Sequence, residues 1–430
     1  MKKATFVSAT SIVVGNMIGT GLYTSLGFQA AEIPSGFALL ALWAVGGLIA
    51  LCGALSYAEM ASAFPRSGGE YNFLSRIFHP MAGFLSGWVS ITVGFAAPGA
   101  LAAMAFGTYL HRVVPAIDAG AASLGLIVAT TVLFLLPLRF GHRYLDAFVG
   151  VNIVVLVGLV VAAFSRAGAA GVSLAPSRAD LDPGRLGPFA VALIFVMYSY
   201  SGWNASAYVI GDVEDPRRTV PRSLVAGTLL VTALYVAVNA AFLHATPIEE
   251  LEGEIEVGLI ASRHILGATG ANLMALIICV GLATTVAAMT WAGPRVAQVM
   301  GEDYPALGFL ARRNGQGVPW VAILWQGTIS VLLLVTSTFA AVVTYTEFVL
   351  ILSTFFTVAG VLVLRRRTPR PDWPYRTWGY PVTPLVFLAM SLFIMVFVLR
   401  ERPVECLWGL ATVGLGAVLW LVVERARSSA

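Results

Sequence analysis

Gly15-Asn16-Met17-Ile18-Gly19-Thr20-Gly21 interrupts an otherwise apolar run from Phe6 to Ala31, and Tyr198-Ser199-Tyr200-Ser201-Gly202-Trp203-Asn204 interrupts a second one far downstream. Glycine in a helix interior costs roughly 1 kcal/mol relative to alanine, so Gly19 and Gly21 weaken any helix at that point. At membrane depth, backbone without helical hydrogen bonds survives only where protein buries it or a cavity needs it. One such stretch alone fits close helix packing through small residues equally well. Two of them, in spans that run in opposite directions, point to a shared cavity.

The membrane setting comes from composition. Of 430 residues, 58% are hydrophobic and only 11% charged, against about 25% charged in a soluble domain. This excludes a water-soluble enzyme, a disordered chain and a nucleic-acid-binding domain. Lys2-Lys3 before an apolar run imitates a secretory signal, but the run is too long for a signal core and reads as a first span. A membrane helix needs about 20 apolar residues. Segments of that kind are centred in 6–31, 37–61, 81–110, 122–138, 145–165, 188–211, 222–245, 271–300, 319–338, 341–364, 382–400 and 404–423. With the N-terminus inside, 19 of the 26 Lys and Arg fall in cytoplasmic segments and 7 outside, as the positive-inside rule requires. Twelve spans put both termini in the cytoplasm of a multi-pass cell membrane protein. The acidic run Glu249, Glu250, Glu252, Glu254 and Glu256 falls outside and reads as a solvated loop.

The breaks fall in spans 1 and 6. Interrupted helices in corresponding positions of inverted halves are the best sequence pointer to a transporter substrate site. The expected fold is therefore all-α: residues 1–166 as a first repeat of five spans, 188–365 as an inverted second repeat, and 381–424 as two appended spans. A half-helix starting near Thr20 presents unpaired N–H groups and a positive dipole end to an anion. Carbonyls freed at the breaks present acceptors to an ammonium. An α-amino acid carries both poles a few ångströms apart.

These residues resemble the amino acid–polyamine–organocation superfamily, most closely its L-type amino acid transporter-like branch. The resemblance rests on Gly15 to Tyr23, on Tyr57-Ala58-Glu59 through Phe64 to Tyr71, on Ser201 to Asn204 with Asp215-Pro216-Arg217-Arg218 and Pro221-Arg222, and on Gly293-Pro294-Arg295. It implies a LeuT-type fold with discontinuous helices 1 and 6, and amino acid transport by alternating access. It further implies that Thr20, Gly21 and Leu22 supply amides to the carboxylate. Ile18, Tyr198, Ser199 and Ser201 would supply carbonyls to the ammonium. Tyr198 would also be an aromatic gate, Asn204 a polar group near the substrate, and the loop from Pro65 to Tyr71 part of a cytoplasmic gate.

Two departures from the family pattern carry expectations of their own. The loop from His111 to Ser123 lacks the cysteine with which L-type transporters hold a heavy chain, so no disulfide-linked partner is expected. Asn152 stands where many bacterial relatives carry a lysine in span 5, which removes that route to proton coupling. Gly15 and Ile18 carbonyls with Thr284 and Thr285 hydroxyls form a candidate cation site, since hard cations want several oxygen ligands. The competing reading is threonines bonded to their own helix. Na⁺ is the candidate coupling ion for this site; no cofactor is expected, and the five histidines have no ligand spacing that would give a metal site. Glu59 is a gate candidate with Arg66 or Arg295 as partner, or an interfacial charge. Glu347, early in span 10, reads as a hydrated gate or surface position.

The expectation is an exchanger or uniporter of small or neutral L-amino acids, with membrane lipid its surroundings and no nucleic acid a partner. Small residues in span 3 (Ala96, Ala97, Gly99) and the lack of a mid-span acid favour a neutral side chain. A sodium-coupled symporter is the alternative. A channel would want charge rings or a carbonyl filter, and an intramembrane enzyme a nucleophile–base pair or metal cluster; both are distant.

Overall fold

The computed structural model describes residues 3–136, 142–165, 170–177, 180, 183–368 and 372–428, and every regular element among them is helical. Lys2, Arg139, Arg166, Arg178 and Arg370 of the charge count, and the end of the segment expected at 122–138, lie outside these residues. The chain runs through α1 (Phe6–Met17), α2 (Thr20–Glu32), α3 (Gly36–Ala63) and α4 (Gly69–Ile77). Then come α5 (Pro80–Val89), a π-helical turn at Ser90–Gly94, α6 (Ala96–Val113), α7 (Ala119–Phe134) and α8 (His142–Ser165). The second half holds α9 (Leu186–Tyr200), α10 (Pro216–Ala245), α11 (Val257–Asp303), α12 (Trp320–Thr336), α13 (Phe339–Arg367), α14 (Val382–Glu401) and α15 (Pro403–Ser428). Several start where a short polar side chain takes a free N–H: Thr5 for α1, Ser35 for α3, Asp118 for α7 and Thr338 for α13.

Among the described residues, nine helical segments are long and apolar enough to cross a membrane, one of them the pair α1–α2 taken together. Three further apolar helices, α7, α9 and α12, are shorter. The chain is a multi-pass membrane protein. Its core is built where α1, α2, α3, α9 and α10 meet, around the fully buried Trp43, Tyr200 and Tyr235. Trp43 packs edge-on to Tyr235 at 5.3 Å, and Tyr200 lies 5.1 Å from Tyr235. A second cluster, with Phe84, Tyr304 and Trp420 at its centre, joins α5, α11 and α15.

Four expectations are corrected by this arrangement. The span expected at 188–211 is α-helical only to Tyr200, and beyond it the chain makes two short 3₁₀ turns, Ala205–Ala207 and Ile210–Asp212. Gly202 at φ +102° turns the chain there, and the side chains that follow bond to other elements. The segment expected to begin at 271 is preceded by further helix, since α11 starts at Val257 and bends at Gly267, φ +74°. The acidic run is more than a solvated loop. Glu256 is buried and paired with Arg112, Glu254 reaches the same arginine at 3.5 Å, and Glu250 meets His264 at 2.8 Å. Finally, Glu347 is neither hydrated nor at the surface: it is only 4% exposed, because α13 turns that face toward α9.

Candidate functional site

The first break falls between Met17 and Thr20. Ile18 ends α1 with ψ 91°, its N–H donating to the Val14 carbonyl, and Gly19 is extended. Thr20, Gly21 and Leu22 form the first turn of α2 and are buried. First-turn N–H groups have no partner within their own helix, so this end can receive an anion. The second break begins at Ser201, whose N–H donates to the Tyr198 carbonyl at 3.0 Å. The two breaks touch: a Cβ on Gly202 would lie 2.9 Å from Asn16, so only glycine allows both the positive φ and this approach.

Tyr235 on α10 joins them. Its hydroxyl donates to the Met17 carbonyl and lies 3.0 Å from the Ser199 carbonyl. Of the acceptors assigned from the sequence, those of Tyr198 and Ser199 therefore already serve protein donors. Nothing around Tyr235 marks it in the sequence, since it is one aromatic residue in an apolar span.

Toward α2 and α9 the site is shut by close packing. A Cβ on Gly21 would lie 2.4 Å from Ser199 Oγ and 2.5 Å from Ser199 Cα, so these helices meet at van der Waals limits. Ser25 Oγ reaches Ser199 Oγ at 2.9 Å and the Phe195 carbonyl at 3.1 Å. Phe28 is stacked between Phe195 and Phe339, at 5.0 and 5.5 Å. Tyr198 is buried on the same helix, three residues on from Phe195.

On the opposite side, the face carrying the N-terminus, carboxylates organise the closure. Glu70 on α4, 3% exposed, accepts from Tyr57 at 2.8 Å, from Asn204 Nδ2 at 2.7 Å and from Tyr208. Asn204 thus faces Glu70, which the sequence did not single out; the Ser-Gly-Gly-Glu-Tyr loop was the available signal. Ala4 pairs with the chain after the break, its N–H donating to Asp212 O at 2.7 Å and its carbonyl accepting from Glu214 N at 3.0 Å. Glu59, wholly buried, pairs with Arg365 of α13 at 2.5 Å and accepts from Thr377 Oγ1 at 2.7 Å and Thr377 N at 2.8 Å. Neither expected partner is used. Arg66 is exposed on its loop, and Arg295 stacks on Trp291 of its own helix, 3.3 Å from the ring centre.

The candidate cation ligands are only partly assembled. A Cβ on Gly19 would lie 3.6 Å from Thr285 Oγ1, and that hydroxyl donates to Gly281 O at 3.1 Å. Thr284, one position earlier, donates to Val280 O at 2.8 Å. Successive helical residues point about 100° apart, so the two do not face the break together. Asn152 donates to Phe148 O of its own helix.

A family model described as "Amino acid permease" matches residues 5–418. The chain is 29% identical to the large neutral amino acids transporter small subunit 2 of Homo sapiens, covering 98% of this chain and 80% of that protein. It is 27% identical to the Asc-type amino acid transporter 1 of Mus musculus, over 98% and 81% of the two chains. It is 25% identical to the serine/threonine exchanger SteT of Bacillus subtilis, over 94% and 93%. With the match running nearly end to end, the chain belongs to the amino acid permease family.

Proposed function

We propose that this protein carries small or neutral L-amino acids across the cell membrane by alternating access, as an exchanger or uniporter and not as an enzyme. The observation that carries the reading is the pair of interrupted helices whose breaks abut at Asn16 and Gly202 and share Tyr235. Unpaired amides at Thr20 to Leu22 suit the substrate carboxylate, and the Ile18 and Ser201 carbonyls its ammonium. The relatives' names, which specify neutral amino acids and serine/threonine exchange, support the substrate class.

In the full proposal the nine long helices and three short ones form twelve spans, arranged as a LeuT-type 5+5 inverted repeat with α14 and α15 appended. Both termini lie in the cytoplasm. The face with Ala4, Glu59 and Glu70 is then the cytoplasmic gate, and the Phe28 stack the outer one. Cys52, Cys279 and Cys406 are all buried, which supports the absence of a disulfide-linked heavy chain. Sodium symport is the second reading, favoured only by Thr285 beside Gly19; Thr284 turned aside fits a Na⁺ shell poorly.

The test is uptake of labelled amino acids into proteoliposomes, with Na⁺, pH and internal substrate varied separately. Uptake should be stimulated by internal amino acid and indifferent to replacing Na⁺ by choline. A strict Na⁺ requirement that Thr285→Ala removes would establish the symport reading instead.

A further inference from the structure

Among the described residues, Glu347 is a carboxylate of the membrane-embedded core that the arrangement above leaves unused. Glu70 has three hydrogen-bond donors and Glu59 an arginine and a threonine. Glu347 enters none of the ion pairs among the described residues, and its Oε2 is buried without a hydrogen-bond partner. Such an oxygen forgoes the hydration it would have in water, a cost the fold tolerates only where something else is gained. Its neighbour Thr346 shows the same pattern. Thr344, Thr354 and Thr357 of the same helix donate to their own backbone, whereas the fully buried Thr346 Oγ1 has no partner.

The position of Glu347 says what could reach it. It lies eight residues into α13 from Phe339, about 12 Å at 1.5 Å per residue, so it sits below the stack of Phe339, Phe28 and Phe195. Tyr198 lies one turn below Phe195 on α9, and α9 packs both against α13, which carries Glu347, and against α2, whose first turn holds Thr20. The free oxygen therefore belongs to a helix lining the same junction as the residues that would hold the main-chain groups of a bound amino acid.

We infer that Glu347 is the specificity-determining residue for the substrate side chain, accepting a hydrogen bond from amino acids whose side chain carries a donor such as a hydroxyl. This deepens the proposed function and rests on it. An apolar side chain leaves the oxygen unpaired in the bound state, and that difference discriminates between near-isosteric substrates.

The experiment is competition binding to the purified full chain with two matched pairs, L-threonine against L-valine and L-serine against L-alanine. The wild-type protein should prefer the hydroxylated member of each pair by about two- to tenfold, the worth of one neutral buried hydrogen bond. Glu347→Met should bring both ratios to about one, and Glu347→Gln, which keeps one acceptor oxygen, should retain part of the preference. Ratios near one in the wild-type protein, or ratios unchanged in Glu347→Met, overturn the inference while leaving amino acid transport standing. If the methionine variant does not fold, the wild-type ratios and the glutamine variant decide. Failure of all four amino acids to bind would reject the transport reading, and this inference with it.

Discussion

On one side of the paired breaks, α2 and α9 are held together by a glycine against a serine, two serine hydroxyls and a sandwich of three phenylalanine rings. On the other side, the chain after the second break is held by Glu70 with its three donors and by strand-like pairing to Ala4, while Glu59 on α3 pairs with Arg365 of α13. The first closure is made of dispersion and neutral hydrogen bonds, each worth about 1 kcal/mol or less. The second is made of buried charged groups, whose loss leaves partners stranded at several kcal/mol. The alternating access proposed above would require both to open. The difference implies that the Phe28 side separates with little selectivity, and that the carboxylate side opens only when its donors find other partners.

The largest effect should come from breaking the buried pair. Arg365→Ala strands Glu59 in the core and should destabilise the purified protein by about 3–5 kcal/mol, read as thermal unfolding in detergent. Arg66→Ala, at an exposed residue, should stay within about 0.5 kcal/mol. Equal losses in the two variants would contradict the pairing and restore Arg66 as the partner.

Next is Glu70. Replacing it by alanine removes the acceptor of Tyr57, Asn204 and Tyr208 at once. Leaving buried donors unsatisfied costs about 1–3 kcal/mol each before relaxation, so both stability and uptake should fall. Asn204→Ala, which removes one donor, should lose clearly less. If Asn204→Ala alone abolishes binding, Asn204 touches the substrate more than it touches Glu70.

Gly21→Val tests the opposite side. The added side chain meets the Ser199 backbone, so it should push α2 from α9 and cost about 1–3 kcal/mol, as overpacking does, besides abolishing uptake. Gly19→Ala meets nothing closer than 3.6 Å and should insert and fold normally. The sequence alone treats these glycines alike, as bare backbone for a ligand; in the structure Gly21 is chiefly a contact between helices. The smallest effect belongs to Ser25→Ala, which deletes neutral hydrogen bonds to Ser199 and Phe195 and should cost about 1 kcal/mol. A larger loss there than at Glu70 would invert the comparison.

How much of this was legible follows from the kind of signal each feature leaves. The breaks at Gly19 and Gly202 were legible because glycine and polar residues weaken a helix locally, whatever surrounds it. The spans were legible from hydropathy, though not the unwinding after Tyr200, which depends on Asn204 and Tyr208 finding Glu70 more than a hundred residues away. Arg365 was not legible as the partner of Glu59. It is one of three consecutive arginines at a helix end, and 306 positions separate the pair. Tyr235 left no trace because a single aromatic residue in an apolar span is ordinary core, and only the fold brings its hydroxyl to two freed carbonyls. Glu347 was visible as an intramembrane acid, but its depth was misjudged from the span end, since helix rotation and not sequence distance buries it.

The central claim, that the abutting breaks recognise the main-chain groups of an amino acid, is tested most directly by competition for the bound substrate. A transported L-amino acid should be displaced by other neutral L-amino acids but not by its decarboxylated amine or its N-acyl derivative, because each analogue removes one pole that the Thr20–Leu22 amides or the break carbonyls require. Displacement by the amine or the N-acyl compound as effective as by the parent amino acid would contradict the account.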